Sequence, residues 1–167
     1  MEYTHIVHGF EPVFDKESRV LILGSLPSVK SRESCFYYGH PQNRFWKVIA
    51  ELTGETLPGD IPEKKAMLLK HGIAVWDVIA ECDIIGSSDS SIKNVIPAEL
   101  PVILDSTDIS AIFTNGGTAG KIYKKYQLPQ TGREAVVLPS TSPANAAWTL
   151  DKLTGAWRKA LEPYLAL

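Results

Sequence analysis

At 167 residues, with 44% apolar content, the chain matches one ordinary globular domain with a full core, and residues 1–167 are read as a single domain. A formal net charge of -2 argues against a protein that merely coats nucleic acid, so any contact with DNA has to be local. No apolar run approaches the roughly 20 residues of a membrane span, and the opening Met1-Glu2-Tyr3-Thr4-His5 lacks the basic and apolar stretches of a signal peptide, which predicts a cytoplasmic protein without a membrane partner.

The first predicted strand is the apolar run at residues 20–23, which ends in the turn-rich Gly24-Ser25-Leu26-Pro27-Ser28. Rings, an amide and an arginine then crowd into Tyr37-Tyr38-Gly39-His40-Pro41-Gln42-Asn43-Arg44-Phe45-Trp46. Phe45, Trp46, Ile49 and Leu52 form the stripe of a helix ended by Gly54, and a second helix opens at Pro62 and closes at Gly72. Strands are predicted over 73–78, 109–114 and 135–138, with a less regular stretch over 81–104. Ala119, Ile122, Tyr123 and Tyr126 mark a third helix, and Leu150, Leu153, Trp157, Leu161 and Tyr164 mark the last. The strand runs are nearly continuous rather than alternating, as in strands covered on both faces. Alternation with helices predicts a three-layer α/β/α sandwich around a short, mostly parallel four-stranded sheet.

Ligands of such sheets bind at the carboxyl ends of the strands. Two loops lie there, the one after residue 23 and Leu138-Pro139-Ser140-Thr141-Ser142-Pro143-Ala144-Asn145-Ala146, and together they predict a cleft with two lips. Asp77 stands out at the end of an apolar run, either as a pocket residue or as a capped or salt-bridged strand end. Asn115 is a pocket amide or a turn residue. Asn43 precedes a helix, so an N-cap role competes with a catalytic one. Of the adjacent Tyr37 and Tyr38, at least one should reach the cleft or solvent.

Cys35 and Cys82 make no CxxC pair, and His5, His8, His40 and His71 show no HxH or HxxxH spacing, so neither a metal nor a cofactor is expected. Gly116-Gly117-Thr118-Ala119-Gly120-Lys121 invites a phosphate-loop reading, but only three residues separate Gly116 from Gly120, and Ile122 rather than Ser or Thr follows the lysine. The candidates for local contact with DNA are Lys30, Arg32, Arg44 and Lys47 near the first loop and Lys121, Lys124 and Lys125 later.

Gly24-Ser25-Leu26-Pro27-Ser28, followed by Tyr38-Gly39-His40-Pro41-Gln42-Asn43-Arg44-Phe45-Trp46, resembles the first motif of the uracil-DNA glycosylase superfamily, and residues 138–146 resemble its second. Ser25 and the stretch Asp89-Ser90-Ser91-Ile92-Lys93-Asn94 are similar to the hypoxanthine-DNA glycosylase branch. The resemblance spans essentially the whole chain. It implies an α/β/α sandwich and a monofunctional, metal-independent DNA repair enzyme that hydrolyses the N-glycosidic bond of an everted, deaminated base, with hypoxanthine first and uracil next. Many relatives carry Asn or Asp where this chain has Ser25, so the resemblance moves the water-positioning role to Asn43, with Ser25 as the other catalytic candidate.

By the same resemblance Tyr38 stacks on the base, and Asp77, Asn115, Gly24 and Leu26 form its pocket. Ser140, Ser142 and Pro143 grip phosphates, and Ala144, Asn145 and Ala146 take the place of the wedge that fills the vacated stack. Ser28, Arg44 and Lys47 complete the DNA-binding set, though Arg44 could equally brace the motif internally. The expected partner is DNA bearing a deaminated base. A monomer is expected because no apolar stripe lacks a core role. The competing readings are a uracil/thymine mismatch enzyme on the same fold and a binding module that recognises damaged DNA without cutting it.

Overall fold

The computed structural model describes residues 2–165. In chain order the elements are β1 (Thr4–Val7), β2 (Val20–Gly24), α1 (Val29–Ser34), α2 (Phe45–Thr53), α3 (Ile61–Lys70), β3 (Ile73–Asp77), β4 (Ile79–Ile84), β5 (Lys93–Pro97), α4 (Pro101–Leu104), β6 (Ala111–Asn115), α5 (Gly117–Ile122), α6 (Leu128–Thr131), β7 (Ala135–Leu138) and α7 (Leu150–Leu161). A widened turn, Tyr123–Gln127, joins α5 to α6.

The four predicted strands form one all-parallel sheet in the order β3-β2-β6-β7. β2 is buried along its whole length, which explains its unbroken apolar sequence. Alternate residues serve opposite faces. Val20 and Ile22 join Ile73, Val75 and Phe113 in a core closed by Phe45, Ile49, Met67, Leu68, Leu153 and Trp157 from α2, α3 and α7. Leu21 and Leu23 join Ala74 and Ile112 in a second core closed by Ile103, Ala119 and Tyr123.

Helix boundaries follow their chemistry. Asp60 caps α3 by accepting from the Glu63 N–H at 2.9 Å, with Pro62 inside the first turn. Gly54 ends α2 at φ 71°, in the left-handed region where glycine carries no Cβ penalty.

The stretch over 81–104 is more regular than its sequence indicates. β4 and β5 pair antiparallel, and β1 pairs antiparallel with β4, giving a second sheet of order β1-β4-β5. Glu81 and Asp83 interrupt the apolar pattern of β4, while register shifts between Ile79 and Asp83 and the left-handed Asn94 (φ 54°) break the alternation that would mark the pair as strands. This small sheet lies against the Leu21–Leu23 face through Ile79, Cys82 and Ile84. The sandwich therefore has helices on one face and helices plus a small sheet on the other.

Candidate active site

The parallel register brings Gly24 opposite Asp77 and Asn115 opposite Leu138, so four strand ends share one rim. A cavity of about 270 Å³ opens there, near the lower end of the roughly 300–1,000 Å³ of small-molecule pockets. Its walls include Gly24, Ser25, Leu26 and Ser28 from the first loop, Tyr38 and Asn43 from the ring-rich stretch, Asp77, Asn115, and Ser140, Thr141 and Ser142 from the second loop. Residues Gly116, Gly117 and Thr118, discounted above as a phosphate loop, also line it. A neighbouring groove shares Ser140 and Ser142 and adds Ala144, Asn145 and Trp148.

Tyr38 adopts a left-handed backbone (φ 52°), uncommon for a side chain of its size. The turn is held by Ser31, whose hydroxyl accepts from the Gly39 N–H at 2.8 Å. One face of the Tyr38 ring stacks on Phe45, with centroids 4.0 Å apart and planes 20° apart. Its hydroxyl is buried and has no hydrogen-bond partner among the described residues. Burial, and then the nearby Asp77 charge, push this phenol far above its usual range, with the Asn115 amide pulling the other way. Tyr37, by contrast, is a core ring whose hydroxyl donates to Glu11 O at 2.8 Å.

Asn43 joins the start of α2 to the second loop. Its Oδ1 accepts from the Phe45 N–H at 3.0 Å, which tightens the start of α2, and from the Thr141 hydroxyl at 2.8 Å. Its amide hydrogens have no partner among the described residues. Thr141, completely buried, in turn accepts from Asn115 Nδ2 at 2.9 Å and donates its backbone N–H to Asn115 Oδ1 at 3.0 Å. Asn115 is thus engaged by the second loop at both ends of its amide while it lines the cavity. The Ser25 hydroxyl has no partner among the described residues, while the Ser25 carbonyl accepts from the Ile79 N–H at 3.2 Å.

Asp77 is 3% exposed, and its Oδ2 accepts from His8 Nε2 at 2.8 Å. The salt-bridged strand end and the pocket residue are the same side chain. A Cβ at position 24 would lie 2.5 Å from Asp77 Oδ1 and 3.1 Å from the Tyr38 hydroxyl, so only glycine fits there.

Arg44 has the internal bracing contacts weighed for it, and Ser28 caps a helix. Arg44 spends its guanidinium on the second loop, donating to the carbonyls of Thr141 (3.4 Å), Ser142 (2.8 Å), Asn145 (3.1 Å) and Trp148. A planar fork with five donors suits that task, and little of it remains for a phosphate. Ser28 is the N-cap of α1, accepting from the Ser31 N–H at 3.2 Å. Within the second loop, Ser140 Oγ accepts from the Ser142 N–H, Ser142 Oγ from the Ala144 N–H, and Asn145 Nδ2 donates to Ser140 O. Pro143, Ala144 and Ala146 are exposed at its tip, and Lys47 is exposed on α2 outside both cavities. Arg32 is the one basic side chain lining the main cavity.

His8 and Thr141 were not singled out from sequence. Thr141 lies between the two serines of the second loop, and nothing local marks it as the buried one. His8 carried no spacing signal, because its partner lies 69 residues away.

Strand ends and two loops thus enclose a rim cavity that holds an amide, a carboxylate and a stacked ring. The sequence pattern of the uracil DNA glycosylase superfamily matches residues 11–165, and the chain belongs to that superfamily. It is 37% identical to a protein named hypoxanthine DNA glycosylase from Methanosarcina acetivorans over 149 residues, which cover 88% of this chain and 93% of the relative. It is 32% identical to a protein of the same name from Methanosarcina barkeri, covering 92% of this chain and 97% of the relative. The solution NMR structure of a candidate uracil DNA glycosylase from M. acetivorans superposes with a TM-score of 0.77 at 31% identity, covering 93% of this chain and 98% of that one. The protein is accordingly a DNA N-glycosylase, a hydrolase acting on DNA.

Proposed function

We propose that the chain excises hypoxanthine from DNA, using a water molecule positioned by Asn43. The observation that carries this reading is the immobilised Asn43 amide at the wall of a cavity whose floor holds Asp77. With Oδ1 fixed by two donors, the free Nδ2 hydrogens can hold a water by its oxygen, and the unpartnered Ser25 hydroxyl can accept a hydrogen bond from that water and so fix its orientation. An amide has no useful basicity at neutral pH, so its contribution is orientation. Water attacks C1′, the bond to the base nitrogen breaks, and the bonding pair leaves with the base. The spent proton passes to solvent.

The base must leave the helix to reach this cavity, at a cost of a few kcal/mol that a mispaired base reduces. Tyr38, backed by Phe45, offers its other face for stacking. Asp77 Oδ1 accepts the N1–H of hypoxanthine, whereas adenine presents a lone pair there and is repelled. The exposed tip Pro143-Ala144-Asn145-Ala146 enters the vacated stack, and its small side chains predict a weak plug. Ser140, Ser142, Arg32 and Lys47 meet the flanking phosphates in this reading. The curated relatives named for hypoxanthine support this choice of base over uracil.

The test is a panel of duplexes containing deoxyinosine, deoxyxanthosine, deoxyuridine or deoxyadenosine, each scored for alkali-labile sites under single turnover. Deoxyinosine is expected to react fastest and deoxyadenosine slowest. Faster cleavage of deoxyuridine than of deoxyinosine would refute the assignment.

A further inference from the structure

The side chain of Asp77 is held from two directions. On one side His8 donates from Nε2 to Oδ2 at 2.8 Å, with the two side chains only 6% and 5% exposed. On the other, Oδ1 rests in the space that any Cβ at position 24 would occupy. His8 is itself immobilised. Its backbone N–H donates to Ala80 O at 2.8 Å, continuing the pairing of β1 with β4, and its ring packs against Phe10 and Tyr37 at centroid distances of 4.6 and 5.9 Å. The small antiparallel sheet thereby delivers one imidazole beneath the rim of the parallel sheet.

We infer that His8 is the positioning residue that makes Asp77 a selective reader of deaminated bases. The inference rests on the base-reading role proposed for Asp77. Deamination converts an amidine edge, with a bare ring nitrogen beside an amino group, into a lactam edge, with a ring N–H beside a carbonyl. A carboxylate that can only accept distinguishes the two; a carboxylic acid does not, because its O–H can donate to the bare nitrogen of adenine. Burying a carboxylate oxygen without a hydrogen-bond donor is costly. His8 supplies that donor whether its ring is neutral with the proton on Nε2 or charged. By occupying Oδ2 it also turns Oδ1 toward the cavity. Any base with a ring N–H at that edge, whether hypoxanthine, xanthine or uracil, benefits from the same arrangement.

The experiment measures single-turnover rates on deoxyinosine and deoxyadenosine duplexes of identical flanking sequence, and reads their ratio. Partial unfolding lowers both rates equally and leaves the ratio unchanged. His8→Leu should lower the inosine-to-adenosine ratio by about tenfold or more, the scale of a hydrogen bond to a charged group. His8→Gln, whose amide reaches to about the position of Nε2, should restore it to within about threefold. If His8→Leu does not fold, His8→Asn replaces it, its amide being too short to reach Oδ2. Combined with Asp77→Asn, His8→Leu should change the ratio no further, since the group it positions is gone. A ratio unchanged by His8→Leu or His8→Asn, in a protein where Asp77→Asn removes selectivity, overturns the role of His8 and leaves the base-reading proposal standing. A ratio unchanged by Asp77→Asn overturns both.

Discussion

The lip formed by residues 24–45 is tied down by rings, and the lip formed by residues 138–149 by one guanidinium. In the first, Tyr38, Phe45 and Trp46 interlock, and Trp46 Nε1 donates to Tyr37 O at 3.2 Å. In the second, few side chains are buried, and the loop's shape depends on Arg44 gathering four of its carbonyls and on Asn43 and Asn115 holding Thr141. The difference suits a division of labour. Groups that orient a water and a base belong on packed elements that lose nothing more on binding. A segment that meets a DNA backbone can be held by polar contacts that yield locally. Arg44 sits next to Asn43 in sequence, so one turn of chain sets the Asn43 amide and the shape of the opposite lip together.

Arg44→Ala is the strongest way to break this contrast. Several loop carbonyls would lose their donor at about 1–3 kcal/mol for each that stays buried, less where water enters. We expect a lower melting temperature and faster amide exchange concentrated in residues 140–148, with α2 protected as before. Arg44→Lys should recover only part of the loss, because an ammonium cannot reproduce the planar fork. Uniform loosening of both lips would contradict the division.

Tyr38 sharpens the account of the first lip. Tyr38→Leu should lower kcat/KM on deoxyinosine DNA by about 1–3 kcal/mol of lost stacking. Tyr38→Phe keeps the ring and removes a buried hydroxyl that lacks a partner, so stability should stay level or rise by about 1 kcal/mol. A marked loss of activity in Tyr38→Phe would show that the hydroxyl contacts the base.

Lys47→Ala should weaken DNA binding modestly, equally for damaged and undamaged duplexes, and reduce the slope of log affinity against log salt by about 1. An unchanged slope would place Lys47 off the DNA path.

The smallest effect is expected far from the cavity, in the small sheet. His5 on β1 bonds Asp83 at 2.8 Å and Glu81 at 3.1 Å on β4, and these carboxylates raise the imidazole above its usual range, hydrogen bonding to Asp83 first. Asp83 is lowered, by its hydrogen bond from Asn94 and then by His5. A raised histidine stabilises the fold below the unfolded histidine value of about 6.5, and that stability is lost as pH rises through the folded value. A lowered carboxylate acts in the opposite sense, stabilising above about 4 and failing as pH falls. The two overlap between the carboxylate and histidine ranges. His5→Gln should therefore cost more melting temperature near pH 5.5 than near pH 8.5, by a small margin because the group is exposed. An equal cost at both values would remove the ion-pair explanation.

Much of this was legible in the sequence, for physical reasons. The four parallel strands announced themselves because strands covered on both faces read as unbroken apolar runs, and the helix ends at Gly54 and around Pro62 followed local capping chemistry. The two lips stood out because turn residues cluster after strands. The small sheet did not, because its strands are short, its register shifts, and its charged residues pair across strands rather than along them. Asn43 and Asp77 were located, but their partners Thr141 and His8 were not, since contacts across 98 and 69 residues leave no local pattern. Arg44 was visible as a cation, and only the folded chain reveals that its donors are spent on carbonyls.

The account depends on the amide of Asn43 orienting the attacking water. The direct measurement is the single-turnover release of hypoxanthine from a deoxyinosine duplex by the wild type and by Asn43→Ala, at enzyme concentrations that saturate binding of each. The account predicts a loss of about a hundredfold or more in the chemical step, with DNA affinity within a few-fold. Release by Asn43→Ala at the wild-type rate would contradict it and return the role to Ser25.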